Sequence, residues 1–389
     1  MVSIFDATLR EGEQTPGVYF PEHVKLEIAN QLDKLGVAYI EAGHPLISNE
    51  IYTAVKHIAA QPLKSLVGAH SRSLQQDVDA ALECGVKFLG IFYCVSDERL
   101  KHVFKTDLNG AVKQITDVIA YAKKMNPKLL IRFTPEDTVR SDFYNVVNVA
   151  TEAVNAGADI ISIADTTGFM IPHTEHNMYD YVKRLKDSLA SKNVYPKIAV
   201  HCHNDLGLAV ANAFEGFRAG AEIIDASVLG LGERAGIVDL ATLLGILTQG
   251  FNGEHRWNLE QLIPLYKIVS HYADVPIPVN SPVVGKNAFK HCAGVHTHAA
   301  QLNPLHYQSI DPRPFGRIME ISLDHMSGIS SIKCSLEKIG EAELDQELVK
   351  EVLVKVKEVG QSGRTVSLEE LAMIANWVKK LNEEIKNVS

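Results

Sequence analysis

Short β-branched segments alternate with longer amphipathic segments through about the first 230 residues of this 389-residue chain. Eight of the short segments are candidate strands: SIFDATL, AYIEAGH, SLVGAHS, FLGIFYC, LLIRFTP, IISIADT, IAVHCHN and IIDASVL. The stretches between them have helical periodicity, as in PEHVKLEIANQLDKLG, and end near glycines such as Gly36, Gly85, Gly157 and Gly220. Eight repeated βα units predict an α/β fold, the (β/α)8 TIM barrel.

An open, doubly wound parallel sheet is the structural alternative for the same alternation. That fold usually has fewer strands and a Gly-rich phosphate-binding turn after the first strand. The sequence contains no GxGxxG motif. We therefore expect the barrel, whose active sites lie at the carboxyl ends of the strands.

The predicted strands end in polar residues, at the face where a barrel carries its active site. These residues are Arg10, Glu11, Glu41, His44, His70, Arg132, Thr134, Glu136, Asp165, Thr166, His201, His203, Asn204 and Glu233. Alternation along a strand places Arg132, Thr134 and Glu136 on one face, and it does the same for His201 and His203. Cys202 is expected to point away from the two histidines.

The composition restricts the partners and the compartment. The formal net charge is -9 and the pI is near 6.0, without a long run of one sign, so we expect no nucleic-acid partner. Five scattered cysteines without a CxxC pair fit a reducing compartment. The charged start, MVSIFDATLREGEQ, and the absence of a long apolar stretch predict a cytoplasmic protein with no membrane association.

The βα rhythm stops after about residue 250, and the composition then changes twice. We expect the catalytic barrel over residues 1–255 and a linker or lid, rich in Pro, Gly, His and Asn, over 256–319. Residues 320–389 return to helical periodicity, with a Ser-x-x-Glu capping pattern at Ser367. They predict a small, mainly helical accessory domain.

The pattern HCH places two imidazoles, His201 and His203, on the same face of a strand. With a carboxylate such as Glu11 they can hold one divalent metal ion, and zinc, manganese and magnesium all stay possible. Arg10 and Arg132 can bind carboxylates as forks. The alternatives are an incidental role for the histidines and a ring of ion pairs at the barrel mouth, for example between Arg132 and Glu136.

Four motifs stand in order along the chain: DATLREGEQTPG, HCHNDLGLAVANA, GLGERAG and AGVHTHA. Together they resemble the metal-dependent acyltransferases that include 2-isopropylmalate synthase and homocitrate synthase, from residue 4 to about residue 320. The resemblance implies a TIM barrel that condenses acetyl-CoA with a 2-oxo acid held on a divalent metal, in amino-acid biosynthesis.

The resemblance also implies a role for individual residues. The implied metal ligands are Glu11, His201 and His203, and the implied contacts of the 2-oxo acid include Arg10, Gln14 and Thr166. The implied catalytic residues are Arg10, Glu233, His296 and Tyr307. The last two lie in the linker, which in the family reaches the neighbouring subunit, so a homodimer with linker exchange is expected. The chemistry agrees, because a thioester methyl group is a weak carbon acid that needs a nearby base and positive charge at the enolate oxygen.

The far end of the substrate is expected to meet His70, Arg132, Thr134 and Glu136. The segment IRFTPEDTVRS is similar to the RFSxEDxxRS of homocitrate synthases, and Glu11, Gly90 and Ile237 also differ from the residues usual in isopropylmalate synthases. A cation there favours a second carboxylate, as in 2-oxoglutarate, over the isopropyl group of 2-oxoisovalerate. We therefore expect a homocitrate-forming enzyme.

Other segments keep alternatives open. HNDLGLAVAN is closer to 2-isopropylmalate synthase, and AGVHTHA lacks the lysine of the AGxHxKA lid. The alternative substrates are 2-oxoisovalerate, as in a 2-isopropylmalate synthase, and oxaloacetate, as in a Re-type citrate synthase. A C–C lyase on the same barrel and a non-catalytic barrel that binds a dicarboxylate are the alternatives outside this reaction.

Overall fold

The protein is described by a computed structural model covering residues 2–250, 256–293 and 303–388. The chain divides into two compact units, Met1–Ile277 and Pro278–Ser389. The first unit contains the βα repeats, and the second contains the helical tail.

Eight parallel strands close into a barrel in sequence order, and β1 pairs with β8 to complete the ring. The strands are β1 Ser3–Asp6, β2 Tyr39–Glu41, β3 Leu66–Arg72, β4 Phe88–Cys94, β5 Leu130–Glu136, β6 Ile160–Asp165, β7 Lys197–Cys202 and β8 Ile223–Ala226. Each overlaps one of the eight predicted segments, so the predicted (β/α)8 barrel is confirmed. The strands are largely apolar because their inner faces fill the barrel and helices cover their outer faces.

Helices follow the strands around the outside of the barrel. They are α1 Glu22–Leu35, α2 Asn49–Ala59, α3 Gln75–Glu83, α4 Leu108–Met125, α5 Phe143–Asn155, α6 Met178–Ala190, α7 Ala209–Arg218, α8 Leu240–Gly250 and α9 Leu262–Ala273. The Asp142 side chain caps α5 by accepting from the N–H groups of Tyr144 and Asn145. Helix α1 ends at Gly36, whose φ of 94° is a left-handed conformation that glycine adopts without strain. No helix in the described ranges is long and apolar enough to cross a membrane.

Aromatic rings fill the barrel interior near the amino ends of β2 and β4. The ring centroids of Phe5 and Tyr39 each lie 5.4 Å from that of Phe88. Gly68 on β3 makes room for this packing, since a Cβ there would lie 2.3 Å from the Phe88 ring. The interior is therefore packed on the amino side, and polar residues occupy the carboxyl side.

In its described residues, the second unit combines a two-stranded parallel sheet with three helices. Strand β9 Lys290–His291 pairs with β10 Glu320–Ile321, and the helices are α10 Ile329–Lys338, α11 Gln346–Gly360 and α12 Leu368–Val388. Buried side chains such as Val352, Val356 and Leu371 form its core. The Ser367 hydroxyl accepts from the Glu370 N–H at 3.2 Å, so the predicted cap of the last helix is present.

Helix α9 lies in the first unit, although the sequence analysis assigned residues 256–319 to a linker. Its apolar face is buried, and the hydroxyl of Tyr266 donates to Asp239 at 2.6 Å. The barrel unit therefore extends past residue 255, because α9 is a further outer helix that packs against α1. The division of the chain into three parts stays a prediction.

Candidate active site

A pocket opens at the carboxyl ends of the strands, the face on which the sequence predicted the site. Its lining includes eleven of the predicted residues: Arg10, Glu11, Gln14, His70, Arg132, Thr134, Glu136, Thr166, His201, His203 and Glu233. The lining also includes Glu41, Gly90, Phe92 and Ala164. The structure thus brings together residues from all eight strands or the loops that follow them.

Glu11, His201 and His203 place their ligand atoms together at one side of the pocket. The Nε2 atoms of the two histidines are 3.2 Å apart, and each lies 4.0 Å from a carboxylate oxygen of Glu11. All three side chains are buried, and one donor atom from each lies within 4.8 Å of the others. This donor set fits a divalent metal ion with positions left open for a substrate.

The protonation states of these ligands suit a cation. Burial opposes the ionisation of Glu11, but Arg10 and the two histidines outweigh it and lower the pKa of this carboxyl to about 2. Burial and the neighbouring His201 lower the pKa of His203 to about 4. At neutral pH these two residues are therefore a carboxylate and a neutral imidazole, the forms that bind metals.

Arg10 is held by two buried carboxylates. Its Nε donates to Glu41 Oε2 at 2.6 Å, and its Nη1 donates to Glu11. The side-chain amide of Gln14 lies beside the Glu11 carboxylate as well. This pairing fixes a guanidinium next to the three-ligand cluster, where it can stabilise negative charge on a bound molecule.

His70 shares Glu41 with Arg10. Its Nδ1 lies 3.0 Å from Glu41 Oε1, and its ring stacks on Phe92 with centroids 4.6 Å apart. Burial and the Arg10 charge lower the pKa of His70 to about 4, so the ring is neutral at pH 7. Gly90 leaves room for this pair, since a Cβ there would lie 3.3 Å from Glu41 Oε1.

Arg132 lies at the bottom of the pocket, over the ring of Phe5 at 4.5 Å. Its two terminal nitrogens donate to the two oxygens of Asp225 at 2.8 and 2.6 Å, and one also donates to Ser162 at 2.6 Å. These bonds use three of the five guanidinium N–H groups, which leaves two for a ligand. Although burial opposes it, Arg132 and His201 keep the pKa of Asp225 below its usual value.

The ion pair suggested between Arg132 and Glu136 is wrong. Arg132 pairs with Asp225 across the barrel, and the Glu136 carboxylate accepts from Arg99 Nη1 at 2.7 Å. The reason is position along β5: Arg132 lies near the middle of the strand and points inward, whereas Glu136 ends the strand at the rim. Thr134 lies between them in the pocket lining.

Thr166 is positioned by its neighbours after β6. Its hydroxyl accepts from the Asp137 N–H at 3.0 Å, and its carbonyl accepts from Arg234 Nη2 at 2.7 Å. Arg234 Nε also donates to Asp205 at 2.7 Å, so one guanidinium ties the loops after β6, β7 and β8 together. Because the Thr166 hydroxyl is already an acceptor, its hydrogen is available to donate to a carboxylate.

The segment GLGERAG forms a tight loop beside the Glu11 carboxylate. The Glu233 N–H donates to Glu11 Oε1 at 3.3 Å, while the Glu233 side chain is 56% exposed at the pocket rim. Gly236 has a φ of 79°, and a Cβ there would lie 1.8 Å from the Gly230 carbonyl oxygen. Only glycine fits this position, so the motif has a structural reason beside its chemistry.

Three further expectations have different outcomes. Cys202 is buried and is not part of the pocket lining, as the strand alternation predicted. Tyr307 lies in the second unit, just after the short helical turn Pro304–His306, and its catalytic role stays a prediction. His296 falls outside the described residues.

Two buried carboxylates that organise the pocket, Glu41 and Asp225, have no role predicted from the sequence. Glu41 appeared among the polar strand ends but received no role, and Asp225 was not singled out. Each is a lone acid in an otherwise apolar strand, YIE and IIDA, which is the signal that could have found them. A buried carboxylate needs cationic or hydrogen-bonding partners, and those partners are predicted site residues.

Comparison with known proteins agrees with this geometry. The HMGL-like family model matches residues 1–269, and the model described as homocitrate synthase post-HMGL domain-like matches residues 283–364. A homocitrate synthase of Pyrococcus horikoshii is 41% identical over 354 residues, which cover 91% of this chain and 94% of that protein. A homocitrate synthase of Saccharolobus islandicus is 39% identical over 379 residues, which cover 95% of this chain and 79% of that protein.

Solved structures agree with the fold. The HMG-CoA lyase of Bacillus subtilis superimposes with a TM-score of 0.60 at 21% identity, covering 71% of this chain and 95% of that one. The barrel and the Glu-His-His cluster therefore fit the family that the two models identify. The chain belongs to the HMGL-like family, in the group that carries the homocitrate synthase post-HMGL domain.

Proposed function

We propose that this chain is a homocitrate synthase, which condenses acetyl-CoA with 2-oxoglutarate and releases CoA. The relatives of that name, at 39 to 42% identity over most of the chain, support the proposal. The observation that carries it is the pocket itself, in which a metal-binding cluster faces a polar end built from His70, Arg132 and Thr134. Such a pocket suits a molecule with an oxo acid at one end and a carboxylate at the other.

The oxo-acid end binds beside Glu11, His201 and His203 in this proposal. Enzymes of the HMGL-like family use a divalent metal ion, which when bound polarises the ketone as a Lewis acid. Arg10 adds N–H donors and a positive charge on the same side of the pocket. The Thr166 hydroxyl donates its free hydrogen to the carboxylate next to the ketone.

The far carboxylate of 2-oxoglutarate binds at the bottom of the pocket. Arg132 offers its positive charge and an N–H group that neither Asp225 nor Ser162 uses, and Thr134 offers a hydroxyl. The isopropyl group of 2-oxoisovalerate would leave these buried polar groups without partners, which is unfavourable. The polar floor therefore favours 2-oxoglutarate over the substrate of the alternative, 2-isopropylmalate synthase.

Proton removal from acetyl-CoA is assigned to Glu233 with His296 and Tyr307. The exposed carboxylate of Glu233 stands at the rim, where a thioester too large for the pocket would present its methyl group. The enolate carbon then attacks the ketone carbon, and the new alkoxide is stabilised by Arg10. Hydrolysis of the thioester releases CoA and completes homocitrate.

Release of CoA is the direct test. Metal-supplemented protein is offered acetyl-CoA with 2-oxoglutarate, 2-oxoisovalerate, oxaloacetate or pyruvate, and free thiol is measured. We expect 2-oxoglutarate to give the highest kcat/KM and Arg132→Ala to abolish that preference. Arg184→Ala is the matched control, because Arg184 also lies over an aromatic ring, that of Phe143 at 3.7 Å, but is not part of the pocket lining.

Two results would change the proposal. A preference for 2-oxoisovalerate would replace it with 2-isopropylmalate synthesis. No CoA release with any acid, together with cleavage of a hydroxyacyl-CoA, would favour the lyase alternative. We also propose that the enzyme is cytoplasmic, which fits the lack of a disulfide pattern. The homodimer is proposed on the family resemblance of the linker.

A further inference from the structure

Asp225 is a fully buried carboxylate on β8 with three hydrogen bonds to two side chains from different strands. Its two oxygens accept from the terminal nitrogens of Arg132 on β5, at 2.8 and 2.6 Å. One of these oxygens also lies 2.9 Å from Nδ1 of His201 on β7. A single side chain thus contacts both the metal-binding cluster and the polar floor of the pocket.

The contact with His201 fixes which ring nitrogen faces the cluster. A carboxylate accepts but cannot donate, so Nδ1 of His201 carries the hydrogen and Nε2 carries the lone pair. That Nε2 is the atom 3.2 Å from His203 Nε2 and 4.0 Å from Glu11. Asp225 therefore holds His201 in the tautomer and orientation that a metal ligand needs.

His203 lacks such support. Its Nδ1 is buried and has no hydrogen-bond partner within the described part of the chain. Among the described residues, Asp225 is therefore the side chain that partners an Nδ1 atom of the two-histidine pair. Removal of this carboxylate would leave neither Nδ1 with an anionic partner.

The contact with Arg132 fixes the guanidinium at the bottom of the pocket. The fork-to-fork geometry with Asp225 and the bond to Ser162 set the plane of the group. With the plane of the group fixed, the directions of its remaining N–H bonds are fixed as well. A guanidinium without this partner would have other rotamers available and would bind a carboxylate less well.

We propose that Asp225 is the positioning residue that builds both ends of the site at once. Its one carboxylate aims His201 at a divalent cation and aims Arg132 at the far carboxylate of the 2-oxo acid. The Arg132 part rests on the proposed function, whereas the His201 part requires only the metal-binding cluster. Asp225 does not contact the reacting atoms in this assignment.

Asp225→Asn tests the two arms separately. In the first, metal-free protein is titrated with Mn²⁺ or Zn²⁺ against a chromogenic chelator. We expect a 10- to 100-fold weaker Kd, the usual effect of removing the partner of a metal-ligating histidine. In the second, we expect KM for 2-oxoglutarate to rise about 10-fold and KM for acetyl-CoA to stay within about 2-fold. General loosening of the fold would move both KM values.

Asp6→Asn is the matched control. Asp6 on β1 is also a fully buried acid, but its side chain accepts from the Thr8 N–H at 2.9 Å and pairs with the Thr8 hydroxyl at 3.1 Å. We expect its metal affinity to stay within about 3-fold of the wild type. Arg132→Gln keeps the Asp225–His201 contact, so it should raise KM for 2-oxoglutarate and leave the metal Kd unchanged.

Asp225→Asn leaves the buried Arg132 charge without its anion and can fail to fold. The double variant Asp225→Asn, Arg132→Gln removes both charges, and its metal affinity should still fall 10- to 100-fold. Wild-type metal affinity in Asp225→Asn or in the double variant would show that Asp225 does not position His201. An unchanged KM for 2-oxoglutarate in Asp225→Asn would show that it does not position Arg132. No CoA release by the wild type with 2-oxoglutarate would instead refute the proposed function, and the metal titration would still decide the His201 arm.

Discussion

Two buried carboxylates in the pocket each form hydrogen bonds with two other side chains of the site. Glu41 joins Arg10, beside the metal-binding cluster, to His70, toward the floor. Asp225 joins His201 to Arg132 in the same manner. Each buried anion therefore has two partners, one toward each end of the proposed substrate. A change at either carboxylate should affect recognition and chemistry together.

His70 should make 2-oxoglutarate binding depend on pH. Without substrate, the His70 ring has a pKa of about 4, and its Nδ1 donates to Glu41. At pH 7 its Nε2 therefore carries a lone pair and cannot donate to a carboxylate. A bound carboxylate nearby raises the pKa of the ring, so binding takes up a proton. KM for 2-oxoglutarate should therefore rise with pH, by up to about tenfold per pH unit between the free and bound pKa values.

Steady-state kinetics from pH 5 to 9 at saturating acetyl-CoA measure this dependence. His70→Gln is the control, because glutamine donates a hydrogen bond without titrating, and its KM should be flat over that range. The same slope in the wild type and in His70→Gln would assign the proton to another group.

The motif residues of the site could be predicted from the sequence, but their pairing could not. The motif spacing led to Glu11, His201 and His203, because ligands in one fold keep their chain positions. Asp225 stands 93 residues from Arg132, and their contact exists only because both point into a closed barrel. No local sequence pattern predicts a contact between residues so far apart in the chain. The suggested pairing of Arg132 with Glu136 is wrong because Glu136 ends β5 at the rim, whereas Arg132 lies further down the strand and points inward.

The elements of the barrel were the most predictable level. Alternation of strand and helix periods led to eight strands, since each βα unit has its own local signal. Helix α9 falls in the predicted linker because it follows the last strand, where the repeat has ended. Helical periodicity alone predicts the helix but not its packing against α1.

The cap of α12 gives a test at the scale of one helix. Ser367→Ala removes the hydroxyl that accepts from the Glu370 N–H, so the free energy of unfolding of the second unit should fall by about 1 kcal/mol. Urea unfolding followed by Trp377 fluorescence, in a Trp257→Phe background, measures it. Ser367→Asp keeps an acceptor and should retain most of the stability. Equal losses in both variants would mean that the cap contributes little.

Metal binding should stabilise the barrel unit. The cluster brings a carboxylate and two imidazole nitrogens within 4.8 Å, and a cation that binds only the folded chain stabilises it by mass action. At a metal concentration 100 times the Kd, the gain in the free energy of unfolding is about 2.7 kcal/mol. Treatment with a chelator should lower Tm and abolish CoA release, and added metal should restore both.

Glu11→Gln is the control for metal binding. It replaces one of the three ligands by a neutral amide, so the metal-dependent rise in Tm should shrink or vanish. A full rise in Tm in this variant would show that the metal binds elsewhere on the chain.

Subunit mixing tests the predicted exchange of linkers. If His296 serves the active site of the neighbouring subunit, Glu233→Gln and His296→Ala chains should each be inactive alone. A mixed dimer then contains one site with both native residues, and random mixing should restore about a quarter of the wild-type kcat. No recovery, with mixed dimers confirmed by native mass spectrometry, would place His296 in the site of its own subunit.

The aromatic packing of Phe5, Tyr39 and Phe88 leaves the pocket with a closed floor. Arg132 lies directly on that floor, over Phe5, and Glu233 stands at the opposite end, on the rim. A pocket that is open only at the rim requires its two substrates to bind in order. The 2-oxo acid, which reaches Arg132, must bind before acetyl-CoA covers Glu233. The condensed acid must leave after CoA.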